Sequence, residues 1–369
     1  MLALHPQLDP NTLARLVVWG GLLLGLVLGA VGQATRFCVR GAIADWVELR
    51  SPGRLLSWLL AVGTGAVLLQ ASIAAGLFDA GRTIAWGDRL VWLSCLVGGL
   101  MFGYGMILAG GCPQRCLVKA GAGNLRAAAT LVFIAIVSLM TLRGALAGIR
   151  VNALDAFGAS LGGSQDLGAL LGQALGLAPG PLRGLLAVAI LAAVLAFAWR
   201  VRRSVRLVHW VGGIAFGLLL VAAFVLTGAV GFLPEHPETL EAAWLGTQSH
   251  RPEGLSFAAP LGHALDLLTL WSDRNTVATF GVTVALGVLL GSFASARWRG
   301  EFRLESFKTP RELASSVAGA ALMGFGGITA LGCSIGNGVT GLAMLSSGSV
   351  LATGGIVVGA RLALARAAH

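Results

Sequence analysis

Two glycine-cysteine dipeptides, Gly111-Cys112 and Gly332-Cys333, each close a similar glycine-rich apolar run. Aligning Cys112 on Cys333, an interval of 221 residues, lays Met101-Phe102-Gly103-Tyr104-Gly105 on Leu322-Met323-Gly324-Phe325-Gly326 and Ala109 on Ala330. The chain therefore reads as an internal duplication. Pro113 follows Cys112, and proline favours the first position of a helix, so Cys112 should stand at the cap of a short broken helix running through Gln114-Arg115-Cys116-Leu117-Val118. Free amides at such a terminus attract anions and favour a thiolate, and Cys333-Ser334-Ile335-Gly336-Asn337 repeats the arrangement less clearly. Asn337 falls on the position of Cys116.

The other cysteines are weighed the same way. Cys95 lies inside an apolar run with no glycine break and reads as a small apolar filler. Cys38, between Arg36 and Arg40, has surroundings that favour a thiolate or an anion contact. Cys112 and Cys116 have a C-x-x-x-C spacing, but zinc would need further ligands close by and the sequence offers none, so no metal is expected. Arg115 and Lys119 read first as topology charges, with an anion at the inner mouth as a second use. His209 and His263 sit at span edges and read as interfacial.

Elements must hold these residues, and composition says what kind. With 56% hydrophobic residues, 11% charged and a mean hydropathy of +0.83, the chain lies far from a soluble average of about 25% charged. Apolar stretches near 20 residues recur along it, as spanning helices require. The expected fold is all-α: a polytopic membrane protein of about nine transmembrane helices plus short re-entrant helices. The spans fall at 16–34, 56–77, 90–110, 127–142, 184–199, 207–230, 276–294, 313–331 and 349–364. The 54 glycines let helices approach closely, which predicts a compact bundle in the lipid bilayer. A net charge of +10 would suggest nucleic acid in a soluble chain, but here the arginines sit in short loops between spans, so no nucleic-acid partner is expected.

Those loops orient the protein. No cationic stretch precedes the first apolar run, which reads as a span rather than a cleaved signal. An N-terminus outside and a C-terminus in the cytoplasm put Arg36 to Arg54, Arg115 to Arg126, Arg200 to Arg206 and Arg297 to Arg311 on the inner side. The acidic segment 232–275, with Glu235, Glu238, Glu241, Glu253 and Asp266, then becomes a periplasmic loop. Residues 143–182, which carry a possible surface helix, also fall outside. Residues 1–369 form a single membrane domain: repeat 1 at 16–142, a linking span at 184–199 and repeat 2 at 207–364. The single linking span inverts the second repeat, so the two are pseudo-symmetric and their Gly-Cys breaks approach from opposite faces. Broken helices at matching positions of inverted repeats are the sequence pointer to a transport site near the bilayer midplane.

The runs Gly110-Gly111-Cys112-Pro113-Gln114-Arg115-Cys116 through Asn124, Gly324-Phe325-Gly326 through Gly332-Cys333-Ser334-Ile335-Gly336-Asn337-Gly338, and Gly300-Glu301-Phe302-Arg303-Leu304 resemble the YeeE/YedE family of sulfur transport proteins. The resemblance covers essentially the whole membrane region. It implies a transporter or channel of the bacterial inner membrane, not an enzyme, that takes up thiosulfate through an hourglass path lined by cysteines and delivers to a small cytoplasmic sulfur-carrier protein. Cys112 and Cys333 match the motif cysteines, and Cys38 is the candidate for a third. The expected pathway residues are Cys112, Cys333, Cys38, Cys116, Gly111, Gly332, Arg115 and Asn337, with no catalytic residue and no cofactor. Some members are linked to selenium metabolism, so a selenium compound is an alternative cargo; a membrane thiol-disulfide oxidoreductase using Cys112 and Cys116 is the alternative of another class. A soft sulfur anion suits weak thiol contacts at successive sites, which admit an ion without trapping it. The central parts of the nine spans hold no Asp, Glu or His, so a facilitated path is expected rather than a proton-coupled carrier.

Overall fold

The computed structural model describes residues 9–273 and 276–367. It is mostly helical. Eight segments among the described residues are long and apolar enough to cross a membrane: Pro10–Glu48, Gly53–Ala74, Trp92–Gly121, Leu125–Leu142, Pro179–Val201, Leu207–Val230, Phe280–Trp298 and Ser347–Ala367. Within them run α1 (Pro10–Thr35), α2 (Val39–Glu48), α3 (Gly53–Ala74), α4 (Trp92–Leu108), α5 (Pro113–Gly121) and α6 (Leu125–Leu142). A short α7 (Leu167–Leu175) precedes α8 (Pro179–Val201) and α9 (Leu207–Val225), and the chain closes with α10 (Ala258–Thr269), α11 (Phe280–Trp298), α12 (Pro310–Thr329) and α13 (Ser347–Ala367). The span expected at 313–331 is present as α12, but its Ala-, Gly- and Ser-rich sequence leaves it outside the eight. It packs between α4 and α6 rather than against lipid alone, so it needs less apolar surface of its own.

Local chemistry starts and stops these helices. Proline occupies the first turn of α1, α5, α8 and α12, where its missing N–H has no intrahelical partner to lose. Asn124 caps α6 by accepting from the Ala127 N–H, and Thr309 caps α12 by accepting from Glu312 N–H while the Glu312 carboxylate reaches back to the Lys308 N–H. Gly110 and Leu331, equivalent positions of the two motif runs, both take left-handed backbone (φ 76° and 58°) just past the ends of α4 and α12.

Glycine seams bring the long helices together. On α1, Gly25 and Gly29 lie against the backbone of Val284, Gly287 and Val288, and α11 answers with Gly287 and Gly291 against Leu22 and Leu26. On α4, Gly99 and Gly103 rest on Ala352 and Ile356, while Gly355 and Gly359 of α13 rest on Leu96 and Leu100. Each seam is a glycine pair four residues apart on both helices, which lets backbones touch where a side chain would hold them apart. Gly98 and Gly105 of α4 meet Gly326 and Gly319 of α12 in the same manner.

The segment between α9 and α10 departs from a plain acidic loop. After a small hairpin of Phe232–Leu233 with Ala243–Trp244, the chain turns inward. Leu255, Phe257 and Ala258 are fully buried, and α10 packs along α6 through Gly262 against Ser138 and Leu139. Glu253 travels with it, its Oε1 accepting from the Ser249 N–H (2.8 Å) and hydroxyl (2.6 Å). The surface helix expected within 143–182 is α7, pinned by Asp166.

That carboxylate is buried and accepts from Arg183 Nε (2.9 Å) and Nη2 (2.7 Å), the Ser164 hydroxyl and the Ala169 N–H. Burial alone would push its pKa up, but the Arg183 fork and the remaining donors outweigh burial and hold it below the usual carboxylate value. An unfolded aspartate titrates near about 3.9, so the stabilisation is present above that pH and is lost as pH falls through the lower folded value. Asp166→Asn should therefore cost about 2–3 kcal/mol at neutral pH. Thermal unfolding of purified protein should show this deficit at pH 7, narrowing on acidification below pH 4; a deficit independent of pH would contradict the assignment.

Candidate sulfur-anion pathway

Cys112 caps α5, as its following proline predicts, and is wholly buried. Cys333 is equally buried and opens a π-helical turn, Gly336–Gly341, in place of a second α-helix. A glycine-rich Gly336-Asn337-Gly338 stretch explains the looser winding. Cys333 Sγ accepts from the Gly336 N–H at 3.4 Å, and Cys38 Sγ accepts from Gly41 N–H at 3.3 Å as the cap of α2. Both bonds run from the amide three residues on. The Arg115 amide approaches the Cys112 sulfur in the same register without reaching hydrogen-bond geometry. Three sulfurs thus sit at the amide end of a helix or turn, where the backbone favours negative charge.

These three thiols belong to one neighbourhood. Cys112 lies near both Cys38 and Cys333, and the buried Ser334 hydroxyl lies beside it. Cys116 lies near Cys38, Arg115, Lys119 and Arg40. All five cysteines are free and buried, and Cys95 stands apart, packed with Ala330 and Ala352. No group of His, Cys, Asp and Glu among the described residues could hold a metal ion.

The remaining expected residues serve the two breaks. Gly111 leaves room for the Cys116 sulfur, which a Cβ there would meet at 3.3 Å; Gly332 leaves the same room for Asn337 Nδ2, which a Cβ would meet at 3.1 Å. Asn337 donates through that nitrogen to the Ala330 and Gly332 carbonyls (2.9 and 2.8 Å), and its Oδ1 accepts from Ser349. Lys119 Nζ donates to the Gly110 carbonyl at 2.8 Å. Each broken helix end has its stranded carbonyls satisfied by a side chain of the following turn, the condition for irregular backbone inside a bundle. Arg115 donates to the Gly32 carbonyl of α1 at a long 3.4 Å, so it braces α5 from outside the cavities.

A cavity adjoins each break. One, about 430 Å³, includes Ile328, Ala330, Leu331, Asn337, Thr340 and Gly348 in its wall, together with Gly332, Ser256, Glu253, Arg143, Arg150 and His263. The other, about 360 Å³, is walled by Ile107, Ala109, Gly110, Cys116, Lys119 and Ala127, with Arg40, Asn124 and Arg126. The first six residues of each set correspond one to one at the 221-residue interval. Each glycine-cysteine break thus has a cavity beside it. The sulphur transport family profile matches residues 34–362 of this chain. The chain belongs to the sulphur transport family. The chain is similar to the thiosulfate transporter TsuA of Escherichia coli (strain K12), at 28% identity over 349 residues covering 89% of each protein. It is also similar to the thiosulfate transporter TsuA of Spirochaeta thermophila, at 25% over 343 residues, 91% of this chain and 95% of that one. The motif resemblance read from the sequence is thereby borne out over most of the chain.

Sequence reasoning missed Ser256. Its hydroxyl lies 4.0 Å from Cys333 Sγ, and it precedes the buried Phe257 and α10 much as Cys38 follows the buried Phe37 and caps α2. The signal was the short run Leu255-Ser256-Phe257-Ala258-Ala259, apolar but diluted by Pro252, Glu253 and Gly254. Thr340 fixes it by donating to the Leu255 carbonyl at 2.7 Å.

Proposed function

We propose that this member of the sulphur transport family takes up thiosulfate or a related small sulfur anion across a bacterial inner membrane. The path runs from the Cys333 cavity, past Cys333 and Cys112, to Cys38 and Cys116. The N-terminus lies outside and the C-terminus in the cytoplasm, which makes the Cys333 cavity the outer mouth and the Cys112 cavity the inner one. The observation that carries this reading is the meeting of Cys38, Cys112 and Cys333 near two cavities that share six equivalent wall positions. That correspondence supports inverted repeats at 16–142 and 207–364. So does the packing, in which α1 lies on α11 as α3 lies on α9, and α4 on α13 as α6 on α12. Thiol contacts are weak and can be exchanged, and helix-end amides offset the anion's charge without a fixed cation to trap it.

No chemical conversion is assigned to the chain, and a cytoplasmic sulfur-carrier protein is the partner that would consume the cargo. Moving a dianion into a cytoplasm about 100 mV negative costs about 4.6 kcal/mol, so consumption has to draw the flux inward. Purified protein in liposomes lacking any acceptor should take up radiolabelled thiosulfate only to electrochemical equilibrium. Flux no greater than in protein-free liposomes would sink the proposal. Accumulation driven by a pH gradient would instead replace its facilitated version, with Glu253 at the outer cavity as the first group to test.

A further inference from the structure

The two mouths correspond in position but not in charge. Where the outer wall has the Thr340 hydroxyl and the Asn337 amide, the inner wall has the Lys119 ammonium and the Cys116 thiol, and Arg40 and Arg126 join them. No acidic side chain is among the described residues lining the inner cavity. Arg126 is shared with Glu312 (3.6 Å) and the Ser316 hydroxyl, but neither Arg40 nor Lys119 has a carboxylate partner among the described residues. Arg40 Nε is buried without any hydrogen bond, and Lys119 commits one of its three N–H groups, to Gly110. Unbalanced, half-buried cations around a space of about 360 Å³ favour an anion, since a partly desolvated charge gains from a counter-charge.

We propose that the cavity bounded by Arg40, Cys116, Lys119 and Arg126 is a second anion site, an exit station that holds a small divalent sulfur oxyanion beyond the Cys112 break. This rests on the transport reading and deepens it. The outer wall has arginines too, but Arg143 and Arg150 are paired with Asp266 and Asp155 and Glu253 adds a carboxylate, so the excess of positive charge on the inner side makes the path asymmetric: the outer mouth releases an anion readily, whereas the inner one retains it. Cytoplasmic oxyanions of the sulfate type then occupy the station and slow arriving cargo. Cys116 is a reporter built into its wall.

The test uses a chain in which Cys38, Cys95, Cys112 and Cys333 are alanine and Cys116 is retained, in inside-out vesicles treated with a membrane-impermeant maleimide. Sulfate at ten times its dissociation constant should slow modification about tenfold relative to chloride of matched ionic strength. Arg40→Gln with Lys119→Gln in the same background should abolish that protection. Absence of protection, protection unchanged in the double variant, or no modification of Cys116 from the cytoplasmic side would each overturn the station. Should the four-alanine chain fail to reach the membrane, mass-spectrometric mapping of Cys116 in the unmodified protein gives the same readout. Thiosulfate uptake by the unmodified protein is measured in parallel. Uptake without protection removes the station alone, and protection without uptake removes the transport reading alone.

Discussion

Cys112→Ala and Cys333→Ala should each reduce thiosulfate uptake by about tenfold or more, with protein levels in the membrane unchanged. Each sulfur is fully buried beside a break whose carbonyls are already satisfied by Lys119 or Asn337, so alanine removes a ligand without unpicking the backbone. A tenfold loss corresponds to about 1.4 kcal/mol, the size of one weak thiol contact at the narrowest point together with the anion's unreplaced desolvation. Serine at either position should recover part of the flux, because a hydroxyl still donates. Cys95→Ala, by contrast, should leave uptake near normal, since Cys95 lines the outer cavity but packs with Ala330 and Ala352 away from the thiol cluster at the breaks. Initial rates in proteoliposomes, corrected for reconstituted protein, decide the matter. Full rates in both alanine variants would contradict a cysteine path.

The second large effect concerns assembly. A Cβ at Gly103 would run into the Ile356 carbonyl, and one at Gly29 into the Val288 carbonyl. These are backbone atoms of helices that are themselves packed, so neither can yield as the end of a flexible side chain could. Overpacking of ordinary cores costs about 1–3 kcal/mol, and prying two helices apart exceeds that range. Gly103→Val and Gly29→Val should abolish folded protein, read as loss of the monodisperse peak in fluorescence-detected size exclusion. Gly354→Ala is the control: nothing lies within 4 Å of its added Cβ, so the peak should persist. Normal folding of Gly103→Val would show that the α4 and α13 seam does not hold the bundle.

Hydropathy made the helices legible because lipid leaves a spanning backbone no other solution, and the duplicated Gly-Cys runs marked the breaks because glycine and proline punctuate wherever they occur. The cap at Cys112 followed from Pro113, and the pairing of Asn337 with Cys116 followed from the alignment; Gly111 leaves space for Cys116 as Gly332 does for Asn337. Three things were hidden. Residues Leu255 to Ala259 enter the bundle, yet a hydropathy window averages them with Glu253 and the polar hairpin before it, so the segment read as an acidic loop. The bond from Trp58 Nε1 to the Gly338 carbonyl, 2.6 Å long and joining residues 280 apart, left no local trace. The inner cations looked like topology charges because loop counting registers sign and position only; that Arg40 and Lys119 face one cavity with Cys116 is a property of packing.

The pathway depends on Cys112 and Cys333 facing each other across one narrow passage. In membranes carrying a chain with only these two cysteines, a short bifunctional methanethiosulfonate should join them within one molecule, detected as a linked peptide pair by mass spectrometry. Prior addition of thiosulfate should slow the reaction. Independent modification of the two thiols with no linked product, at rates indifferent to thiosulfate, would contradict the account.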